Sequence, residues 1–303
     1  VFFVFQYASG LFTPLQSNPV LQSDNQKTNL DPRSQGYTEV IDIFRGESVS
    51  RCADTSRLDH PFDQLLNDNC VTLEWGTLGL SGHCIEFTAD AVDQDRKQTI
   101  CLTISDNQGN DLTWTLIFQI RTPLSLPFVE DFYEDEHRPD PNKWLDREVF
   151  VNNTWAKDPI SMGVASFDGI DENGRPYGGG QVYADSLTST YIDLSEYTAG
   201  QPVYLTFWIQ PGGLGQGFVA NVEDSLFLEF KTPDGQWKKA FSTPGASSFQ
   251  VPPFRMESIR VDPLYFYEDF QMRFYNHSNL EGITDLWHLD YLKLSLDANP
   301  DQF

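Results

Sequence analysis

The 303-residue chain is short of basic residues, of methionine and of long apolar runs, and each shortage removes a class of function. Twenty Lys and Arg stand against forty-four Asp and Glu, a net charge of −24. A surface that tracks nucleic-acid phosphates needs clustered cations, which argues against nucleic acid as a partner and disfavours an anionic membrane surface. No apolar stretch approaches the roughly 20 residues of a membrane-spanning helix. A CxxC pair is missing, which argues against structural zinc. The HExxH and GxSxG signatures are missing too, and His60, His83, His137, His277 and His288 keep no ligand spacing. The glycine run Gly212–Gly217 follows a strand pattern with no helix after it, so it is not a nucleotide loop.

What remains is rich in aromatics (14%), with 21 Gly and 18 Pro. That balance suits many short strands joined by turns. The length accommodates two domains, each with its own core. Residues 1–36 read as an irregular polar segment, its opening VFFVFQYASG being a first strand or a sequence fragment. Residues 37–123 carry the alternating runs EVIDIFRG, CVTLEWG, HCIEFTA, TICLTIS and LTWTLIFQI, which predict an immunoglobulin-like β-sandwich. The segment RTPLSLP (121–127) marks a boundary. Residues 124–297 hold ten further strand patterns, among them TSTYIDL, VYLTFWI and LWHLDYLKL, and predict a jelly-roll β-sandwich; 298–303 form a tail. The expected class is all-β.

Cys52, Cys70, Cys84 and Cys101 lie within fifty residues of one another. An even count confined to one domain reads as two disulfides and an oxidising compartment. Cys84 and Cys101 flank the turn Asp93-Gln94-Asp95 symmetrically, which favours pairing them across a hairpin and leaves Cys52 for Cys70.

Two strands place a carboxylate among apolar residues. Glu130 is in phase with Phe128 and Phe132, and Asp290 with Leu286, Leu292 and Leu294. A buried carboxylate requires a cation, an Arg or a pocket of donors. If the two strands are neighbours, Glu130 and Asp290 could share a Ca²⁺, with Asp131 completing the shell. The acidic run Asp168–Gly174 breaks the EF-hand spacing and reads as a hairpin loop. Glu130, Asp131, Glu134, Asp135 and Glu136 cluster on one segment, which is not the opposed pair that glycoside hydrolysis requires. No catalytic residue is assigned, and the chain is not read as an enzyme. Trp144, Trp155, Trp208 and Trp237 could stack on sugar rings if exposed; the competing reading makes them sandwich core.

The ordered series LPFVEDFY, DPNKWLDREVFVNNTWAKDP, GVASFDGIDENGRPY, ADSLTSTYIDLS, VYLTFWIQPGGLG, DSLFLEFK and DLWHLDYLKL resembles a MAM-like jelly-roll module recurrent in Bacteroidota surface proteins tied to type IX secretion and gliding. It spans residues 124–296; the preceding domain resembles immunoglobulin-like or PKD-like modules. The resemblance implies structural calcium at Glu130 and Asp290 and no catalytic residues. It also implies a C-terminal sorting domain in secreted members, whereas this chain stops at Phe303. The expectation is therefore a non-catalytic extracytoplasmic binding or structural subunit of a cell-surface or outer-membrane complex, partnered by proteins there. The alternatives are a carbohydrate-binding jelly-roll module and an accessory subunit of the secretion translocon.

Overall fold

Alternation of buried and half-buried residues, the mark of a strand with one face on a core, runs through both halves of the chain. On one long strand Trp114, Leu116, Phe118 and Ile120 are all fully buried while their neighbours are not. The computed structural model describes residues 26–29, 36–44, 46, 48–54, 65–67, 73, 75–81, 84–90, 96–105, 111–133, 137–146, 148–171, 174–178, 181–214, 219–246, 250–279, 282 and 285–298. The chain divides into two units after Thr122.

The first unit contains β1 (Gln26–Asn29), β2 (Gly36–Phe44), β3 (Ser48–Asp54), β4 (Leu65–Asn67), β5 (Thr77–Ser81), β6 (Cys84–Thr88), β7 (Arg96–Ser105) and β8 (Asp111–Arg121). They form two sheets, β1-β3-β6-β5 and β2-β8-β7-β4, with β2 parallel to β8. The sheets share one core: Ile85 and Phe87 of the first meet Ile100, Leu102, Trp114, Leu116 and Phe118 of the second. Phe87 stacks on Phe118 at 4.2 Å between ring centres. This is the layering and strand order of an immunoglobulin-like sandwich.

Two expectations change here, while most of the strand expected at CVTLEWG lies outside the described residues; Trp75 and Gly76 form a bend, with Gly76 at φ +78°, before β5 starts at Thr77. The segment expected to be irregular contains β1, while the opening run VFFVFQYASG lies outside the described residues. The expected Cys84–Cys101 staple does not fit. Both residues are disulfide-bonded, but β6 and β7 belong to different sheets and form no hairpin. Cys84 alternates with inward Ile85 and Phe87, and Cys101 lies between inward Ile100 and Leu102, so each sits on the outer face of its own sheet. The register instead sets Cys52 directly opposite Cys84. Cys70 lies outside the described residues.

The second unit contains β9 (Phe128–Glu130), β10 (Phe150–Asn152), β11 (Val164–Phe167), β12 (Gln181–Thr188), β13 (Val203–Pro211), β14 (Ser225–Lys231), β15 (Trp237–Pro244), β16 (Arg255–Val261), β17 (Met272–Asn279) and β18 (Trp287–Ser295). One sheet runs β10-β11-β18-β13-β16 with β9 also paired to β18; the other runs β12-β17-β14-β15. They are called the β13/β18 sheet and the β14/β17 sheet below. Between them lies a core that includes Phe128, Phe132, Trp144, Phe207, Phe230, Phe274, Trp287, Leu289 and Leu294. Trp144 is 1% exposed, which removes it from the candidate sugar platforms. The strand expected at TSTYIDL (188–194) lies upstream instead, since β12 ends at the first residue of that run, Thr188; Ser189 and Ile192 beyond it make only isolated bridges, to Trp144 and to Leu124 and Phe270.

β18 departs from simple alternation. Trp287 and Leu289 point into the core, and so do Leu292 and Leu294. The switch of parity falls at Tyr291, whose φ of 41° is left-handed, and the pairing with β13 shifts register opposite it. A β-bulge of this kind re-aims the side chains that flank it. Asp290 therefore faces away from the core.

Candidate functional site

The bulge decides the calcium question. Glu130 sits opposite Leu292 on the inner side, whereas Asp290 lies on the outer side of the same sheet. The two carboxylates do not converge on one ion. Each is instead surrounded by donors. Glu130, 1% exposed, accepts from the Phe132 amide at 2.9 Å and from the Trp144 indole at 2.7 Å, with the Lys143 ammonium at 3.5 Å. Asp290 accepts from the Ile160 amide at 2.6 Å, the Ser161 amide at 3.1 Å and the Ser161 hydroxyl at 2.6 Å. Burial raises the Asp290 carboxyl above its ordinary value, and these bonds draw it back. Asp131 accepts from the Tyr133 amide. A hard cation takes oxygens rather than N–H donors, so these residues do not fit Ca²⁺. Among the described residues no three His, Cys, Asp or Glu side chains gather as a metal site requires.

The same bonds close the outer face of the β13/β18 sheet. Asp290 pins the segment around Ile160 and Ser161 across it. Gln210 does the same further along, accepting from the Lys157 amide at 2.8 Å and donating to the carbonyls of Lys157 and Pro252. Trp208 is packed beneath this cover against Ala156, Val164 and Phe254. Trp155 lies within the cover, its ring 4.9 Å from that of Phe150. His288 is fully buried there with its Nδ1 2.8 Å from the Ser166 hydroxyl, and burial lowers it to about 3.

The β14/β17 sheet carries a different outer face. Alternation on β14 turns Phe227, Glu229 and Lys231 outward, and on β17 Arg273, Tyr275 and His277. The register sets Glu229 opposite Arg273 and Phe227 opposite Tyr275. Trp237 of β15 pairs with Lys231, and Tyr183 of β12 with His277. A strip results. The Arg273 guanidinium lies 4.4 Å from the centre of the Trp237 ring and bonds Glu229 at 2.6 Å. Phe227 and Tyr275 stack nearly parallel, 5.0 Å apart, and Tyr183 stands edge-on to Tyr275 at 5.0 Å. Tyr183 is 67% exposed, uncommon for a large ring. The Arg273 Nε–H has no partner among the described protein atoms.

A pocket of about 370 Å³ opens on this strip, lined by Glu148, Tyr183, Asp185, Ser186, Glu229, Arg273 and Tyr275. A break in register between Tyr183 and Ser186 of β12 shapes its wall. Ser186 donates its amide to Glu148 at 2.9 Å, and its hydroxyl lies within bonding distance of Asp146 and Glu148. At the floor Asp185 accepts from the Tyr177 hydroxyl at 2.9 Å and from the Asp168 amide at 2.7 Å. Asn276 braces both backbones, accepting from the Asp185 amide and donating to the Asp168 carbonyl. Burial holds the Asp168 carboxyl up at about 7, and burial together with the neighbouring Asp168 holds Asp185 well above the usual carboxylate range.

Of the four tryptophans singled out by sequence, only Trp237 reaches this face. The residues that make it a site, Tyr183, Phe227, Glu229, Arg273 and Tyr275, were not singled out. Their outward phase is readable in SLFLEFK and QMRFYNH; that the strands are neighbours in this register is not.

No protein-family model matches the chain, and no characterised protein matches it in sequence. Among solved structures, the K1 cleaved adhesin domain of Lys-gingipain from Porphyromonas gingivalis W83 aligns at 10% identity over 57% of this chain and 98% of its own, with a TM-score of 0.34. The CBM27-1 of Caldicellulosiruptor saccharolyticus, solved with mannohexaose, gives 10%, 57%, 98% and 0.33. A carbohydrate-binding module of the β-sandwich superfamily gives 10%, 82%, 97% and 0.28. These TM-scores lie below 0.5, so the functional reading rests on the chain's own residues.

Proposed function

We propose that this chain is an extracytoplasmic, non-catalytic binding protein whose second unit holds a carbohydrate chain on the outer face of the β14/β17 sheet. The carrying observation is the strip Trp237–Arg273–Tyr275–Tyr183 with the pocket beside Glu229. Pyranose rings present a C–H face that packs on aromatic rings, while their hydroxyls both donate and accept. Here Glu148 and Glu229 supply acceptors at the pocket beside the rings. The pocket lies within the size range of small-ligand sites, about 300–1,000 Å³. The disulfide-bonded Cys84 and Cys101 favour an oxidising compartment.

The test is affinity electrophoresis and titration calorimetry of the intact chain with soluble polysaccharides. Retardation by at least one polysaccharide, lost in Tyr183→Ala and Trp237→Ala, is expected. Failure across neutral, acidic and amino-sugar polymers would sink the reading.

A second reading, a subunit of a bacterial surface complex linked to type IX secretion or gliding, has one observation in its favour. Tyr133, Ile160 and Met162 are 60%, 46% and 67% exposed on segments joined by the Ser161 bond to the Asp131 carbonyl. Exposed apolar residues gathered together favour a protein contact. Stoichiometric recovery of outer-membrane components on pull-down from solubilised envelope would support it, and a lone monomer would remove it.

A further inference from the structure

We propose that Asn276 is the residue that positions Tyr183 on the carbohydrate face, by holding a β-bulge in β12; the inference rests on the carbohydrate reading above. Leu187 and Asp185 of β12 are both buried, and counting on by twos would bury Tyr183 with them. Tyr183 is exposed instead. The pairing with β17 gives the reason. Tyr183 stands opposite His277 and Ser186 opposite Tyr275, so Ala184 and Asp185 together face Asn276 alone. Two residues against one make a bulge, which changes the phase of the strand across it. The bulge also takes the Asp185 amide out of the backbone ladder, and a buried amide needs an acceptor. The Asn276 side-chain oxygen is that acceptor, at 2.9 Å. Its nitrogen donates to the Asp168 carbonyl at 3.2 Å and to the Ser278 hydroxyl at 2.8 Å. Asn276 is fully buried with both polar atoms committed, so it acts on a ligand only through Tyr183.

A pair of buried carboxyls braces the same bulge. Asp185 accepts from the Asp168 amide and the Tyr177 hydroxyl, and Asp168 accepts from the Ile170 amide. Burial keeps a proton on this pair at neutral pH, with the Asp168 carboxyl up at about 7. Facing the pair are Tyr177 from the loop before β12 and Glu148 from the segment before β10, whose charge also favours a protonated Asp185. The Arg138 charge acts the other way, favouring an ionised Asp168, and β17 contributes the uncharged Asn276. A carboxyl raised in this way braces the fold in full at low pH and loses its contribution as pH rises through about 7. Two ionised carboxylates side by side in a buried site repel, and the hold on the bulge weakens. Apparent affinity then falls with the fraction of chains that present Tyr183 correctly.

The experiment takes two readings on the intact chain at about pH 6 and about pH 8.5, on either side of the Asp168 titration. One is calorimetric affinity for the tightest binder among glucomannan, xyloglucan, arabinoxylan, laminarin, alginate and chitosan. The other is backbone amide exchange at Asp185, corrected for the intrinsic effect of pH on exchange. At the lower pH, Asn276→Ala is expected to bind about tenfold more weakly and to exchange the Asp185 amide about tenfold faster. A residue serving stability alone would leave the affinity of the folded chain unchanged. The unmodified chain is expected to bind about threefold to tenfold more weakly at the higher pH. Asp168→Asn, which keeps an oxygen for the Ile170 amide and cannot ionise, is expected to bind equally at both. That comparison decides the matter if Asn276→Ala does not fold. Unchanged affinity in folded Asn276→Ala, no decline with pH in the unmodified chain, or a decline that persists in Asp168→Asn would each overturn the inference and leave the carbohydrate reading standing. If none of the six polysaccharides binds, the carbohydrate reading falls and the Asp185 amide decides the rest. Faster exchange in Asn276→Ala, or at the higher pH in the unmodified chain, supports the hold on the bulge, and unchanged exchange overturns it.

Discussion

The two outer faces of the second unit are built from the same alternation yet finish differently. On the β13/β18 sheet the outward residues Gln210 and Asp290 are buried, because their polar atoms hold a chain segment over them, and His288 is buried beside them against Ser166. On the β14/β17 sheet the outward residues Tyr183, Glu229, Arg273 and Tyr275 bond one another and leave their rings open. Trp208 and Trp237 show the contrast at one residue type: one is packed under a cover, the other lies under a guanidinium at the surface. Whether a sheet face becomes core-like or becomes a site depends on which backbone its polar side chains are set to catch.

The largest effect should come from releasing the cover. Asp290→Ala leaves two amides and a hydroxyl without their acceptor, and a loss of about 3 kcal/mol in denaturant unfolding is expected, with little change in ligand binding. Trp208→Ala should lose about 2 kcal/mol by the same measurement, less than a full core tryptophan because it is only partly buried. Tyr183→Ala or Trp237→Ala should reverse the pattern: binding weakened about tenfold by calorimetry, unfolding changed by about 0.5 kcal/mol or less. Equal destabilisation by all four substitutions would erase the distinction between the faces.

The smallest effect is a difference in pH dependence. His288, lowered by burial to about 3 from 6.5, contributes stability above about pH 6.5 that is lost as pH falls toward about 3. Asp168, raised to about 7 from 3.8, does the opposite: its contribution is whole below about pH 3.8 and is lost as pH rises through about 7. Asp168→Asn keeps an oxygen for the Ile170 amide, which Asp168 accepts at 2.8 Å. It should flatten the neutral-side loss of thermal stability while leaving the acid-side loss in place. An unchanged Tm–pH curve would remove Asp168 from that account.

The class of fold was readable from alternation and turns, because strand period is a local property. Glu130 was placed correctly on an inward phase for the same reason. Asp290 was not, since counting by twos from Leu292 or Leu294 passes through a bulge that only the φ of Tyr291 reveals. The cysteine pairing failed at a larger scale: symmetry about a turn implies a hairpin only when both strands stay in one sheet. The binding face was half readable. Outward positions on β14 and β17 follow from their own sequences, but the strip depends on β12, β17, β14 and β15 lying side by side, an order set by long-range pairing.

The left-handed residue at Tyr291 acts as a frame marker for the sheet around it. β18 is paired with β11, β13 and β9, so its side-chain parity is shared by three neighbours. Excising that single residue would restore strict twofold counting with Trp287, Leu289, Leu292 and Leu294 still facing the core, whereas excising Lys293 would turn Leu294 to water and Ser295 to the core. A one-residue deletion at Tyr291 should therefore be tolerated far better than one at Lys293, as removing a stray letter restores the reading frame and removing a true one shifts it.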